Sequence, residues 1–489
     1  MADNIKEKAV KGIFWSFFDR GGSQAIQFLI GIYIARILTP EDYGLVGMLS
    51  IFLVVSNIFT DSGFGQALIQ QGKKTTRKDF SSVFYFNITV SILLYLILYF
   101  CSPLIAAFYN EPRLILLLRV LGLNIPVLSF GLIQNTIIVK NIRFSTLTKI
   151  NLLSIVVASV GGIIMAKKGA GVWALAELML AQSFLKTVLL WFVNRWRPSF
   201  EFSISSIRQL FSFGSRLLIS GTIQQLNKNL FSLIIGKFYS VVDVGYYSQS
   251  LKMNDRVSNT ITQSIQAVLF PTHSLIKDNL SRFKNAVRTN VKTTTFIIFP
   301  VLTGLIAIAH PFIELTLTVK WLPSVIYLQL LALSGIFFTL TRINRAALAV
   351  FGKVDVLLKF TLYSNLVLVV MIFIMVYFKV NLTALISGQV VWQFLDFFFF
   401  FIYFQGYIDY KFSEYFRDVL PALVIAFVMG MVTYTIGQST KVSWGSLFLQ
   451  IFLGIILYGL LSYFFNRESV GKITGALHIL KNGNKDGSL

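Results

Sequence analysis

Across 489 residues the chain is 55% hydrophobic and only 13% charged, with a mean hydropathy of +0.71. Ordinary soluble domains carry about twice that share of charge, so this chain has too little polar surface to cover a water-exposed globule. A formal charge of +22, from 43 Lys and Arg against 21 acids, would suggest nucleic acid in a soluble protein. A polytopic membrane protein instead gathers such an excess in its cytoplasmic loops, so no nucleic-acid partner is expected.

The first residues have a basic head but no small-residue cleavage site. Their apolar run continues to about Leu38, too far for a signal peptide, and reads as a first helix that stays in the protein. Apolar runs between polar breaks predict helices near 12–37, 43–68, 81–103, 114–137, 149–166, 172–194, 212–237, 243–272, 293–318, 322–349, 358–378, 382–405, 417–437 and 444–466. The fold expected is an all-α polytopic membrane protein with about 14 transmembrane helices, the longest accommodated by tilt, by kinks at Pro126 and Pro300, or by extension into the cytoplasm. Cys101 is the only cysteine, so no internal disulfide forms.

Loop charges set the orientation. Counted from a cytoplasmic N-terminus, the inner connections hold Lys73, Lys74, Arg77 and Lys78, then Lys140, Arg143 and Lys149, then Arg195, Arg197 and Arg208. They continue with Lys277, Arg282, Lys284, Arg288 and Lys292, then Lys353 and Lys359, then Lys411 and Arg417, and Arg467, Lys472 and Lys481 follow in the tail. Outer connections such as TPEDYG (39–44) carry few basic residues. This bias places both termini in the cytoplasm. No loop has room for a nucleotide-binding domain and no GxxxxGK[ST] loop occurs, which excludes energy from ATP bound by this chain.

A shift of 201 residues lays Gln24 on Gln225, Leu29 on Leu230, Arg36 on Lys237, Asp42 on Asp243 and Gly44 on Gly245. Because the shift spans an even number of helices, the two copies are parallel repeats related by an axis along the membrane normal. The expected division is an N-lobe at 1–205, a C-lobe at 206–410, and two further helices with a tail at 411–489.

Charge within the membrane is costly, about 2.5–3.5 kcal/mol per residue on insertion scales, and marks functional sites. The first helix carries Asp19, Arg20 and Gln24; the second Asp61; the seventh Lys228; the eighth Lys252, Asp255 and Arg256; the tenth Arg342 and Arg345; the twelfth Asp396. Cations outnumber acids, and Arg suits phosphate through its planar fork of donors. A substrate bearing a phosphate, a pyrophosphate or an acidic sugar is therefore expected, bound by Arg20, Gln24, Lys228, Lys252, Arg256, Arg342 and Arg345. Asp19, Asp61, Asp255 and Asp396 are candidates for a coupling ion, H+ or Na+, though pairs such as Asp255 with Lys252 would also neutralise each other structurally. No metal cluster, catalytic triad or HExxH motif occurs, so no metal, other cofactor or catalytic residue is expected.

The stretch I-A-R-I-L-T-P-E-D-Y-G-L-V-G-M (34–48), followed by F-T-D-S-G-F-G-Q-A-L-I-Q (59–70), resembles the start of bacterial polysaccharide transporters. These are the Wzx-type flippases and the colanic- and teichuronic-acid exporters of the multidrug/oligosaccharidyl-lipid/polysaccharide superfamily. F-G-S-R-L-L (213–218), I-G-K-F-Y-S-V-V-D-V-G-Y-Y-S (235–248) and L-F-P-T-H-S (269–274) extend the match over nearly the whole chain. The resemblance implies two six-helix lobes working by alternating access in the bacterial inner membrane. It also implies peripheral helices 13 and 14 beside a lipid-tail groove, and a cargo of oligosaccharide on undecaprenyl pyrophosphate. Arg20 and Arg256 are the best-placed basic residues by that likeness. Polysaccharide polymerase and glycosyltransferases would be its partners. A cation-coupled drug antiporter of the same fold predicts an acidic cavity, the reverse of what is seen. A polymerase or ligase of lipid-linked sugars needs a large outer loop, which is missing, and a structural scaffold leaves the buried cations unexplained.

Overall fold

A computed structural model describes residues 21–72, 75–276, 279–351, 354–467 and 471. Asp19 and Arg20 lie outside the described residues. Helix α1 covers residues 21–37. After it come α2 (Pro40–Asp61), α3 (Phe64–Gln70), α4 (Arg77–Tyr109), α5 (Arg113–Gly122), α6 (Asn124–Lys140), α7 (Phe144–Lys167) and α8 (Val172–Val193). Then follow α9 (Ile204–Phe238), α10 (Val241–Ile276), α11 (Leu280–Leu317), α12 (Ser324–Val350), α13 (Val354–Tyr377), α14 (Leu382–Ile408), α15 (Phe412–Ser439) and α16 (Trp444–Phe465). No strand occurs among the described residues. By length and composition, 11 helical segments among them suffice to cross a membrane. The long helices left out are α9 and α10, whose polar stripes interrupt the apolar run.

Polar punctuation sets the boundaries. Thr39 caps α2 with its hydroxyl toward the Asp42 N–H, while Asp42 Oδ2 accepts from the Thr39 N–H at 2.9 Å, and Pro40 occupies the first turn. This reciprocal capping box recurs at Thr76/Asp79 before α4 and at Ser240/Asp243 before α10. Two runs that read as single helices are broken. The run at 43–68 splits at Ser62 (φ 47°) and Gly63 (φ 70°), the left-handed pair between α2 and α3. The run at 114–137 splits after Gly122, whose carbonyl meets Pro126 four residues on, a residue with no N–H to donate.

Packing divides the chain into two compact units, one ending at Ser248 and the other starting at Gln249. In the first, α2 packs on α9, α4 and α8, and α7 pairs with α8. Phe64, Leu68, Phe84, Ile133 and Leu210 form one of its cores. In the second, α11 packs on α15 and α12, and α12 packs on α14. The Phe-rich stretch of α14 supplies Phe397, Phe400, Phe401 and Phe404 to a large aromatic core with Phe283, Tyr410 and Tyr415. Outward faces carry Phe100, Leu104, Phe192, Phe373 and Phe464, all exposed. Continuous apolar surface of this kind is stable against lipid, not water.

Candidate functional site

The polar residues of the membrane interior fall into three arrangements. The first lies in the unit ending at Ser248, where α2 and α10 begin. A Cβ on Gly44 would stand 1.9 Å from the Val241 carbonyl oxygen, and one on Gly245 would stand 1.9 Å from the Pro40 carbonyl oxygen. The helices meet backbone to backbone, which only glycine allows. The contact is reciprocal in the register of the repeat, since the 201-residue shift carries Pro40 onto Val241 and Gly44 onto Gly245. One turn on, Gly47 faces Ser248, and Ser50 Oγ donates to Asn229 Oδ1 at 3.1 Å. Sequence alignment paired the two glycines but gave no sign that each is packed against the other copy's backbone.

The second set, most of the expected substrate contacts, belongs to neither of the close helix joins and is divided between the two units. Gln24 is exposed on α1, Lys228 on α9 and Lys252 on α10, while Asp255, Arg256 and Arg342 are half-buried. Lys252 and Arg256 are one turn apart on α10, with Asp255 between them in sequence. On α12, Arg342 sets its guanidinium 5.9 Å from the Phe338 ring. Asp61 ends α2, and its carboxylate is turned onto the first turn of α3 at Gly65. Asn259 and Gln263 continue the helical spacing of Lys252 and Arg256 along α10; their side chains lie outside the described residues.

The third arrangement joins two residues that the sequence assigned to different tasks. Arg345 Nη2 on α12 donates to both Asp396 oxygens on α14, at 2.9 and 3.1 Å. Ser364 Oγ on α13 donates to the same carboxylate, and Arg345 Nη1 donates to Thr361 Oγ1 at 3.3 Å. The guanidinium lies 5.6 and 5.4 Å from the Phe360 and Phe400 rings. Asp396 is 6% exposed. The carboxylate thus has a compensating charge and a second donor, and the guanidinium has aromatic faces on which to spread its charge. Asp396 is thus paired with a cation, Arg345.

A further ion pair was not anticipated. Arg288 and Lys292 lie on α11 itself, one turn apart, and hold the buried Asp418 of α15. Their i, i+4 spacing was legible as a helical face, but the loop-charge count had absorbed them.

Helices of this length, with apolar outer faces and charge held inside, define a polytopic helical membrane protein. Its fold is that of the lipid II flippase MurJ in an inward closed conformation, with a TM-score of 0.69 at 15% identity, covering 94% of this chain and 100% of that one. It is also that of an inward-facing multidrug resistance MATE family transporter, with a TM-score of 0.63 at 15% identity over 79% of this chain and 94% of that one. Residues 33–326 match the family described as polysaccharide biosynthesis protein, and the chain belongs to that family. It is 27% identical over 446 residues to the teichuronic acid biosynthesis protein TuaB of Bacillus subtilis, spanning 90% of this chain and 91% of that protein. It is 24% identical over 335 residues to the succinoglycan biosynthesis transport protein ExoT of Rhizobium meliloti, 68% of each. It is 23% identical over 374 residues to the lipopolysaccharide biosynthesis protein WzxC of Escherichia coli, 74% of each. The resemblance read from the motifs at 34–48 and 59–70 therefore holds.

Proposed function

We propose that this chain is a flippase that carries a polyprenyl-pyrophosphate-linked oligosaccharide across the bacterial inner membrane for the synthesis of surface polysaccharide or lipopolysaccharide. The observation that carries this reading is the match to TuaB across nine-tenths of both proteins. The fold, found also in a lipid II flippase, supports it. In this reading fourteen helices cross the bilayer, with both termini in the cytoplasm. The segments 1–205 and 206–410 alternate in access, and 411–489 stands at the periphery beside the lipid tail. No ATP is used. A polymerase and glycosyltransferases would act before and after it.

The cations supply the chemistry. Arg20, Lys228, Lys252, Arg256 and Arg342, with Gln24, offset the desolvation of the pyrophosphate as it leaves the headgroup region. Arg345 drops out of that set, because Asp396 already balances its charge. Asp19, Asp61 or Asp255 holds H+ or Na+ where a coupling ion drives the cycle, since a ligand shifts a conformational equilibrium only through differential affinity for the two states.

The test is deletion of the gene. Lipid-linked oligosaccharide should accumulate on the cytoplasmic leaflet, and normal delivery to the outer face would overturn the assignment. Arg256→Ala should cut export about tenfold or more, the scale of one lost charge-assisted hydrogen bond, at unchanged protein level.

A further inference from the structure

The second unit carries a basic cleft that none of the transport chemistry uses. The third and fourth turns of α11, the start of α15 and the end of α16 surround an open cavity of about 510 Å³. Four cations line it, Arg288, Lys292, Arg417 and Arg467, against two acids, Glu414 and Asp418. Both acids are already committed. Asp418 accepts from Arg288 Nε at 2.7 Å, from Arg288 Nη2 at 2.9 Å and from the Tyr410 hydroxyl at 2.7 Å, with Lys292 Nζ at 3.2 Å. Glu414 is held by Lys284 Nζ at 2.7 Å. Arg467 is fixed by a bond from its Nε to the Tyr463 carbonyl at 3.2 Å, with its guanidinium 5.7 Å from the Tyr463 ring.

The cleft therefore holds more positive charge than its own carboxylates neutralise, and Asp418 pins two of the cations in place. Its rim also has an apolar part: Phe465, in the wall, is 73% exposed, and Pro421 of α15 is also in the lining. A soluble anion would use the charges but not that rim. An amphiphile with an anionic head and apolar chains uses both, and basic pockets between helices at a membrane surface suit such headgroups. We infer that this cleft binds the phosphate headgroup of an anionic membrane phospholipid, with its acyl chains leaving past the exposed Phe465. Its charges are not among those assigned to the transported pyrophosphate.

The experiment is native mass spectrometry of the full chain in detergent, titrated with phosphatidylglycerol and, separately, with phosphatidylcholine. Wild-type protein should retain phosphatidylglycerol selectively. Arg417 and Arg467 are exposed, so R417Q/R467Q should leave the melting temperature in lipid-free detergent unchanged. At about fivefold per cation, the double variant should weaken phosphatidylglycerol binding roughly 25-fold, while R417K/R467K keeps most of it. Equal retention by wild type and R417Q/R467Q would overturn the site. Displacement of phosphatidylglycerol by millimolar inorganic phosphate would overturn the lipid assignment in favour of a free anion.

Discussion

The α2/α10 contact in the first unit and the α12/α14 crossing in the second solve the same problem, close approach of helices, in opposite ways. At the first, Gly44 and Gly245 bring backbone against carbonyl with no side chain between them and no charge buried. What holds that contact is weak, of the order of Cα–H···O interactions at about 0.5–1 kcal/mol each. At the second, Arg345 and Asp396 meet as a buried ion pair reinforced by Ser364 and Thr361. Separating them would strand a charge in a low-dielectric interior. A transporter needs both kinds of join. A glycine contact would cost little to open and close, whereas the ion pair with its hydroxyl partners ties α12, α13 and α14 together.

The largest effect should come from breaking the pair on one side only. Arg345→Leu leaves Asp396 buried without its cation, at a cost of about 3–5 kcal/mol. Its thermal midpoint in detergent should fall sharply, and less folded protein should reach the membrane. R345L/D396L should recover most of that loss, because replacing both charges by apolar groups removes the desolvation penalty as well. A substrate-binding role for Arg345 predicts the reverse pattern: normal folding in R345L, and no rescue of export by the double change.

Next in size is the glycine contact. In Gly245→Leu the first side-chain atom would fall on the Pro40 carbonyl, and overpacking of this kind costs about 1–3 kcal/mol. If the contact opens during the cycle, the cost appears as a population shift. A cysteine at Tyr43, buried in the wild type, should then react with maleimide about tenfold faster in a Cys101→Ala background. Gly44→Leu should do the same to a similar degree, because the two contacts are related by the repeat. Loss of folded protein with no change in labelling would mean the glycines are static packing.

Most helices were legible because apolar runs of membrane length leave little else for the chain to do. The starts of α2 and α10 lie before the expected 43 and 243, at Pro40 and Val241, because T-P-E-D and S-V-V-D, counted as loop, carry the acceptor and acid that a capping box requires. The break at Gly122 was hidden by an unbroken apolar run, with only Pro126 hinting at it. Arg345 and Asp396 were each found as buried charges, but they are 51 residues apart on different helices, and no local pattern joins them. Asp418 was missed because charge counting treats the ends of helices as loops. The glycine contact needed coordinates, since the sequence equates Gly44 with Gly245 but cannot say that they face Val241 and Pro40.

The smallest expected effect lies outside the membrane interior and sharpens the contrast between exposed and buried charge. Arg113, at the start of α5, donates to Glu111 at 2.7 Å and to Glu41 of α2 at 2.6 Å, and it is 53% exposed. The guanidinium holds the Glu111 carboxyl below its usual range, chiefly through that hydrogen bond. A carboxyl lowered in the folded state stabilises the fold above its unfolded pKa, near 4.3, and that contribution is lost as pH falls through the lowered folded value. Arg113→Gln should therefore lower stability only slightly at pH 7, by under about 1 kcal/mol, since solvent screens the pair. The gap from wild type should shrink further in high salt and close in strong acid. A cost as large as that of R345L, insensitive to salt, would mean that Arg113 ties α2 to α5 as firmly as Arg345 ties α12 to α14.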